Sequence, residues 1–168
     1  ISLFHDREKN VQYTRDEITN IINNKMYKND KFIDIIAIPT TAGTGTEVTQ
    51  WATIWDVSNN SKLSIDHPFL KPKKAIIVPE LTLSVPPIIT LATGLDALSH
   101  AIEAYWSKHT TPMVQEIAYR AIELIIQNLS IAIHEPNNYN AREKLCRASV
   151  LSGLAFSQTR TTACHSIS

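Results

Sequence analysis

The sequence predicts an α/β N-terminal part followed by an all-α part, with the boundary near residue 82. Three observations carry this. Two short β-branched runs, "FIDIIAIP" at 32–39 and "KKAIIVP" at 73–79, are each stopped by proline, as buried strands are. From Pro86 onward that signal disappears. Apolar residues then recur at spacings of three and four, the period of a helix with one buried face.

The elements follow in order. Residues 1–31 are polar and charged, with "DREKN" and "NNKMYKND", and read as a surface segment with one short helix over 16–26. After the 32–39 strand comes "TTAGTGTE", a loop of small residues. "QWATIWD" and "KLSI" read as two strands around a turn at "VSNNS". In the second half, "SVPPIITLATG" predicts a helix with Ser84 as cap and proline in its first turn, ended by Gly94. A further helix is expected over "TGLDALSHAIEAY", 93–105. "TTPMVQEIAYRAIELIIQNLSIAIHEP" repeats the device, with Thr111 as cap, Pro112 at the start and Pro136 as the stop. "NAREKLCRASVLSGLAFSQ" reads as a third long helix, whose Ala- and Ser-rich face suits close helix contacts. The closing "TTACHSIS" still reads as helical.

Composition excludes several classes. The 168 residues are 43% hydrophobic, enough for a core. Lys and Arg number 16, as do Asp and Glu, so the basic footprint of a nucleic-acid binder is missing. No basic run suits an anionic membrane surface, and no apolar run approaches the roughly 20 residues that cross a bilayer. No signal-peptide pattern is present. Cys146 and Cys164 are too few for a disulfide framework, so a reducing cytoplasm is the expected compartment.

Chemistry concentrates in "TGLDALSHAIEAY". Asp96 and His100 stand four apart, on one face of a helix, among Ala and Leu. A carboxylate and an imidazole at that spacing can share one divalent cation such as Fe2+, Zn2+, Mn or Co. The plainer reading is an intrahelical hydrogen bond, or a capping role for Asp96 behind Thr93. Glu103 lies on much the same face and can either orient His100 or stay solvated. The loop "TTAGTGTEV" is neither a Walker motif nor G-x-G-x-x-G. Its glycines let backbone approach something closely, and its threonines either bind phosphate and ribose or close turns. His5, His67, His109 and His134 sit in polar, turn or helix-end contexts and read as structural or surface residues.

Taken together, "IPTTAGTGTEVT", "PELTLSVPP", "ATGLDALSHAIEAY" and "ASVLSGLAFS" occur in an order that closely resembles the iron-containing (group III) alcohol dehydrogenase family. The resemblance runs from about Ile36 to the end. It implies that residues 1–82 are the C-terminal part of a dinucleotide-binding α/β domain and 83–168 the N-terminal part of a helical metal-binding domain. It implies Asp96, His100 and His165 as ligands of Fe2+, Zn2+ or another divalent metal. It implies Thr40, Thr41, Gly43 and Thr44 as contacts to NAD(P), with Lys62 near the cofactor. The family's glycine-rich pyrophosphate loop would lie before Ile1 and its fourth ligand after Ser168, so the chain is expected to be a fragment whose isolated form is inactive. Departures from the family pattern are Trp51 where Asn is frequent, Val78–Pro79 in place of Asp–Pro, and the polar "QTRTTAC" before His165.

The implied function is an NAD(P)-linked alcohol dehydrogenase or aldehyde reductase, acting on a small alcohol or aldehyde, with neither nucleic acid nor membrane as partner and a homodimer when full length. Arg160, Thr161 and Thr162 add an expected anion site, strongest if that segment starts a helix with free N–H groups. "SQTRTTACH" is similar to the phosphonoacetaldehyde-reductase branch, which implies a small anionic aldehyde as substrate. A glycerol-dehydrogenase-like or dehydroquinate-synthase-like enzyme would keep metal and cofactor and change the reaction. A truncated chain acting as a non-catalytic binding module is the third reading, and metal stoichiometry separates it from the others.

Overall fold

The computed structural model describes residues 13–27, 33–57 and 59–160. These are mostly helical, with small sheets. The elements are α1 (Arg15–Asn23), β1 (Ile36–Ala37), β2 (Trp51–Asp56), β3 (Ser61–Asp66), β4 (Lys74–Ala75), α2 (Pro87–Trp106), α3 (Pro112–His134) and α4 (Tyr139–Thr159). Contacts gather the described residues into two units, one from Ile1–Ile35 with Gln50–Lys73 and one from Ile36–Thr49 with Lys74–Ser168. A single cut at 82 does not describe these contact units, because the threonine-rich loop belongs with the helices.

In the first unit, β2 and β3 pair antiparallel, from Trp51 opposite Asp66 to Asp56 opposite Ser61. This is the hairpin expected around the "VSNNS" turn. α1 starts on a capping box. The Thr14 hydroxyl accepts from the Glu17 N–H, and the Thr14 N–H donates to the Glu17 carboxylate at 2.7 Å. That backbone bond holds the Glu17 carboxyl below its ordinary range. Ile22 of α1 and Ile65 of β3 form the buried centre, with Ile18, Ile54 and Leu63 packed around them.

In the second unit, β1 and β4 run parallel, Ile36 opposite Lys74 and Ala37 opposite Ala75. The runs 32–39 and 73–79 thus contribute only two residues each to regular strand. Among the described residues each has one neighbour, and Ile36 and Ile38 are at least half exposed. The three long helices pack on one another around Ala97, Leu124, Ile125, Leu129, Ala132, Leu145 and Ala148.

Two local expectations fail on α2. Gly94 does not end a helix, for α2 runs unbroken from Pro87 to Trp106. A Cβ at Gly94 would lie 2.5 Å from Leu129 Cδ1, so the glycine makes room for α3 instead of stopping α2. Ser84 does not cap it either. The helix begins after Pro86, whose carbonyl accepts from the Thr90 N–H at 2.9 Å. Proline at this point removes a donor that would have gone unpaired. Thr93 is therefore mid-helix, its hydroxyl donating back to the Ile89 carbonyl at 2.9 Å, and the capping reading of Asp96 falls.

Side chains cap the other two helices. Thr111 accepts from the Val114 N–H, as the sequence indicates, and Asn138, not singled out there, accepts from the Ala141 N–H. The small-residue face of α4 does serve close contact. Ser152, fully buried, donates to the Ala97 carbonyl of α2 at 2.7 Å. Arg142 of α4 is buried with its guanidinium donating to the Pro136 carbonyl (3.0 Å), the Thr90 hydroxyl (2.7 Å) and the Val85 carbonyl (3.1 Å). Burial pulls its pKa down. No helix among the described residues is long and apolar enough to cross a membrane.

Candidate metal centre

Asp96 and His100 lie one turn apart on α2, His100 buried and the Asp96 side chain about a third exposed. The Asp96 Oδ2 and His100 Nδ1 atoms are 3.8 Å apart. That is too long for a direct hydrogen bond. Metal bonds of about 2.0–2.2 Å to oxygen and nitrogen sum to more than this gap, so one ion can touch both atoms. The donor set, a carboxylate and a neutral-capable imidazole, fits a divalent transition metal. Among the described residues no cluster of three or more His, Cys, Asp or Glu side chains is gathered for a metal. His165, the third expected ligand, lies outside the described residues, as do Thr161 and Thr162.

The surroundings of His100 are apolar on one side. The Phe156 ring of α4 stacks on the imidazole, with centroids 4.3 Å apart and planes 18° apart. Glu103, 2% exposed, accepts from the Ser99 hydroxyl at 3.3 Å.

The threonine-rich loop is seated on the same helices. A Cβ on Gly43 would fall 2.7 Å from Thr93 Cβ, three residues before Asp96. Gly45 has φ of 60°, and a Cβ there would fall 2.6 Å from Gly153 Cα of α4. Both glycines are therefore needed for close approach, and Gly45 also for its left-handed backbone. Thr40 and Thr44 are exposed and Thr41 is partly buried. The Thr46 hydroxyl donates to that of Thr44 at 2.8 Å. Just behind the loop, Glu47 is buried, which raises its carboxyl pKa, and burial likewise pushes the Cys146 thiol up.

The structure thus brings Asp96, His100, Thr40, Thr41, Gly43 and Thr44 into one unit. Lys62 belongs to the other unit, on β3, with its Nζ 5.2 Å from the centre of the Trp55 ring. Arg160 is exposed and closes α4, with φ of 64° and its N–H donating to the Phe156 carbonyl at 2.8 Å. It stands at a helix end, whereas the anion-site argument placed it at a helix start. Phe156, Ser152, Arg142 and Glu47 were not singled out by sequence reasoning. Each lies in a stretch that reads as ordinary helix or loop, and only packing reveals its partner.

The Fe-containing alcohol dehydrogenase family, C-terminal, matches residues 90–168, and the iron-containing alcohol dehydrogenase pattern matches residues 7–79. The chain belongs to the iron-containing alcohol dehydrogenase family. Choline dehydrogenase of Bacillus subtilis (strain 168) is 40% identical over 134 residues, covering 80% of this chain and 33% of that protein. The NAD-dependent methanol dehydrogenase of Bacillus methanolicus is 40% identical over 136 residues, covering 81% of this chain and 36% of the other. Among solved structures, sulfoacetaldehyde reductase from Bifidobacterium kashiwanohense in complex with NAD+ superposes with TM-score 0.83 and 45% identity, over 90% of this chain and 40% of that one. The chain spans about a third of the length of the curated relatives it matches.

Proposed function

We propose that this chain is the central segment of a metal-dependent, NAD(P)-linked alcohol dehydrogenase or aldehyde reductase. In the whole enzyme, residues 1–82 would complete the dinucleotide-binding domain and 83–168 would open the helical metal-binding domain. The observation that carries the reading is the Asp96–His100 pair, held on one helix face at a separation that suits a shared cation. Family membership supports it. The NAD+ complex of the sulfoacetaldehyde reductase supports NAD as the nucleotide.

When bound, the metal supplies Lewis acidity towards an alcohol or carbonyl oxygen and the nicotinamide gives or accepts the hydride. The residues of this chain hold those groups in place. Asp96, His100 and His165 bind the metal, the carboxylate offsetting part of its charge. The exposed hydroxyls of Thr40 and Thr44, with Thr41, bond to phosphate or ribose oxygens. Gly43 keeps that loop against α2 at Thr93, three residues before Asp96. Lys62 offers a positive charge to the nucleotide.

The decisive test is elemental analysis of the full-length protein. Asp96→Ala and His100→Ala should each abolish metal retention and reduction of an aldehyde. A purely structural helix pair predicts instead a loss on the order of 1 kcal/mol in stability with no change in metal content. Full occupancy in the His100→Ala protein would overturn the assignment.

For the substrate, the reading is a small aldehyde bearing a sulfonate or phosphonate group. Its support is Arg160 with the neighbouring threonines, and the likeness to the sulfoacetaldehyde reductase. A guanidinium offers a planar, permanently charged fork to such an oxyanion. Arg160→Ala should raise KM for the anionic aldehyde by about tenfold or more, for a lost charged hydrogen bond of about 1.5–3 kcal/mol. A neutral aldehyde of similar size should be little affected, and equal effects on both would sink the idea.

A further inference from the structure

We propose that Phe156 of α4 is a positioning residue for His100, with Ser152 fixing the spacing of α2 and α4 beneath it. The proposal rests on the reading of His100 as a metal ligand. The lone pair by which an imidazole binds a metal lies in the plane of its ring. Any tilt of the ring therefore moves that lone pair off the ion. His100 has a near-parallel Phe156 ring stacked on it, at a centroid distance of 4.3 Å and an angle of 18°. A flat partner at contact distance restricts tilt in a way a flexible aliphatic side chain would not.

Ser152 stands one turn before Phe156 on the same helix. Its hydroxyl, fully buried, donates at 2.7 Å to the Ala97 carbonyl, which lies in the turn between Asp96 and His100. α4 thus grips the ligand-bearing turn of α2 at two points, one through the backbone and one through the imidazole face. Beside these, a Cβ at Gly153 would meet the Gly45 backbone at 2.9 Å, so α4 cannot slide outward to relax the stack without losing the loop contact. The partners that orient metal ligands change metal affinity by about 10–100-fold when removed. A residue that merely fills the core changes folding stability and leaves affinity alone.

The test uses the full-length protein loaded with Co2+, whose visible absorption reports ligand geometry, and a chelator competition that gives Kd. Phe156→Leu should weaken Co2+ binding by about tenfold or more and shift the absorption bands. Phe156→Tyr keeps the flat ring and should restore both. Ser152→Ala should shift the bands in the same sense with a smaller loss of affinity. Should the leucine variant fail to fold by circular dichroism, Phe156→Met, close in volume, decides on the same readouts. Wild-type Kd and wild-type bands in a folded Leu or Met variant would overturn the proposal. His100→Ala runs alongside. If it keeps its metal, the metal-site reading itself is wrong; if it loses metal while the Phe156 variants bind normally, only the positioning role is.

Discussion

Gly153→Ala and Gly94→Ala form a matched pair whose outcomes should diverge. Both glycines lie inside long helices, so alanine gains about 0.8–1 kcal/mol of helix propensity at either position. What differs is what the new methyl meets. At Gly94 it would fall 2.5 Å from Cδ1 of Leu129, the far end of a side chain with other rotamers to adopt. At Gly153 it would meet Val48 Cγ2 at 2.6 Å and the Cα and carbonyl oxygen of Gly45 at 2.9 Å. Valine is stiff about χ1, and backbone cannot step aside without moving the loop. Overpacking of this kind costs about 1–3 kcal/mol. With three contacts under 3.0 Å at Gly153 the upper part of that range applies, about 2–3 kcal/mol, so net of propensity Gly153→Ala should destabilise by roughly 1–2 kcal/mol, whereas Gly94→Ala should be near neutral, because the relaxation of Leu129 and the propensity gain offset one another. Denaturant unfolding followed by circular dichroism measures both. A Gly153→Ala protein as stable as Gly94→Ala would refute the claim that loop and α4 touch through their backbones.

Arg142→Ala leaves the Pro136 and Val85 carbonyls without their donor, each at about 1–3 kcal/mol, so a total loss of about 2–6 kcal/mol is expected in the same unfolding assay, with Arg142→Lys intermediate. Burial raises the Glu47 pKa in the folded chain, so the folded state holds that proton more tightly than the unfolded one. Its contribution is complete below the unfolded pKa and is lost as pH rises through the folded value. Glu47→Gln should therefore be more stable than the parent at pH 7, with the advantage vanishing below about pH 4.3, the ordinary glutamate range.

The helical half was legible because its punctuation is chemical. Thr111 with Pro112 can start a helix and Pro136 can end one, and α3 does both. The β2–β3 hairpin was legible from the polar turn between two strand-like runs. The two failures on α2 share a cause. Glycine and serine were read by local preference, yet Gly94 answers to Leu129 on another helix and Ser84 lost to the proline that follows it. The short strands β1 and β4 show the limit of β-branched runs as a signal, because a run becomes ladder only where a neighbour pairs with it. For the candidate centre, the four-residue spacing put Asp96 and His100 on one helix face, and the resemblance of the surrounding motifs singled them out as candidate ligands. Phe156 and Ser152 meet α2 only through the packing angle of two helices, which no single stretch encodes.

The touching backbones of Gly45 and Gly153 also bear on the order of events during folding. These residues stand near opposite ends of the second unit's sequence, so their contact closes a very long loop. Such closures are costly in chain entropy and come after the local helices that reward them. The threonine-rich loop should then take its shape last, once α2 and α4 are docked. A nascent chain would display the threonine-rich loop only after the helix carrying Asp96 and His100 had found its partner.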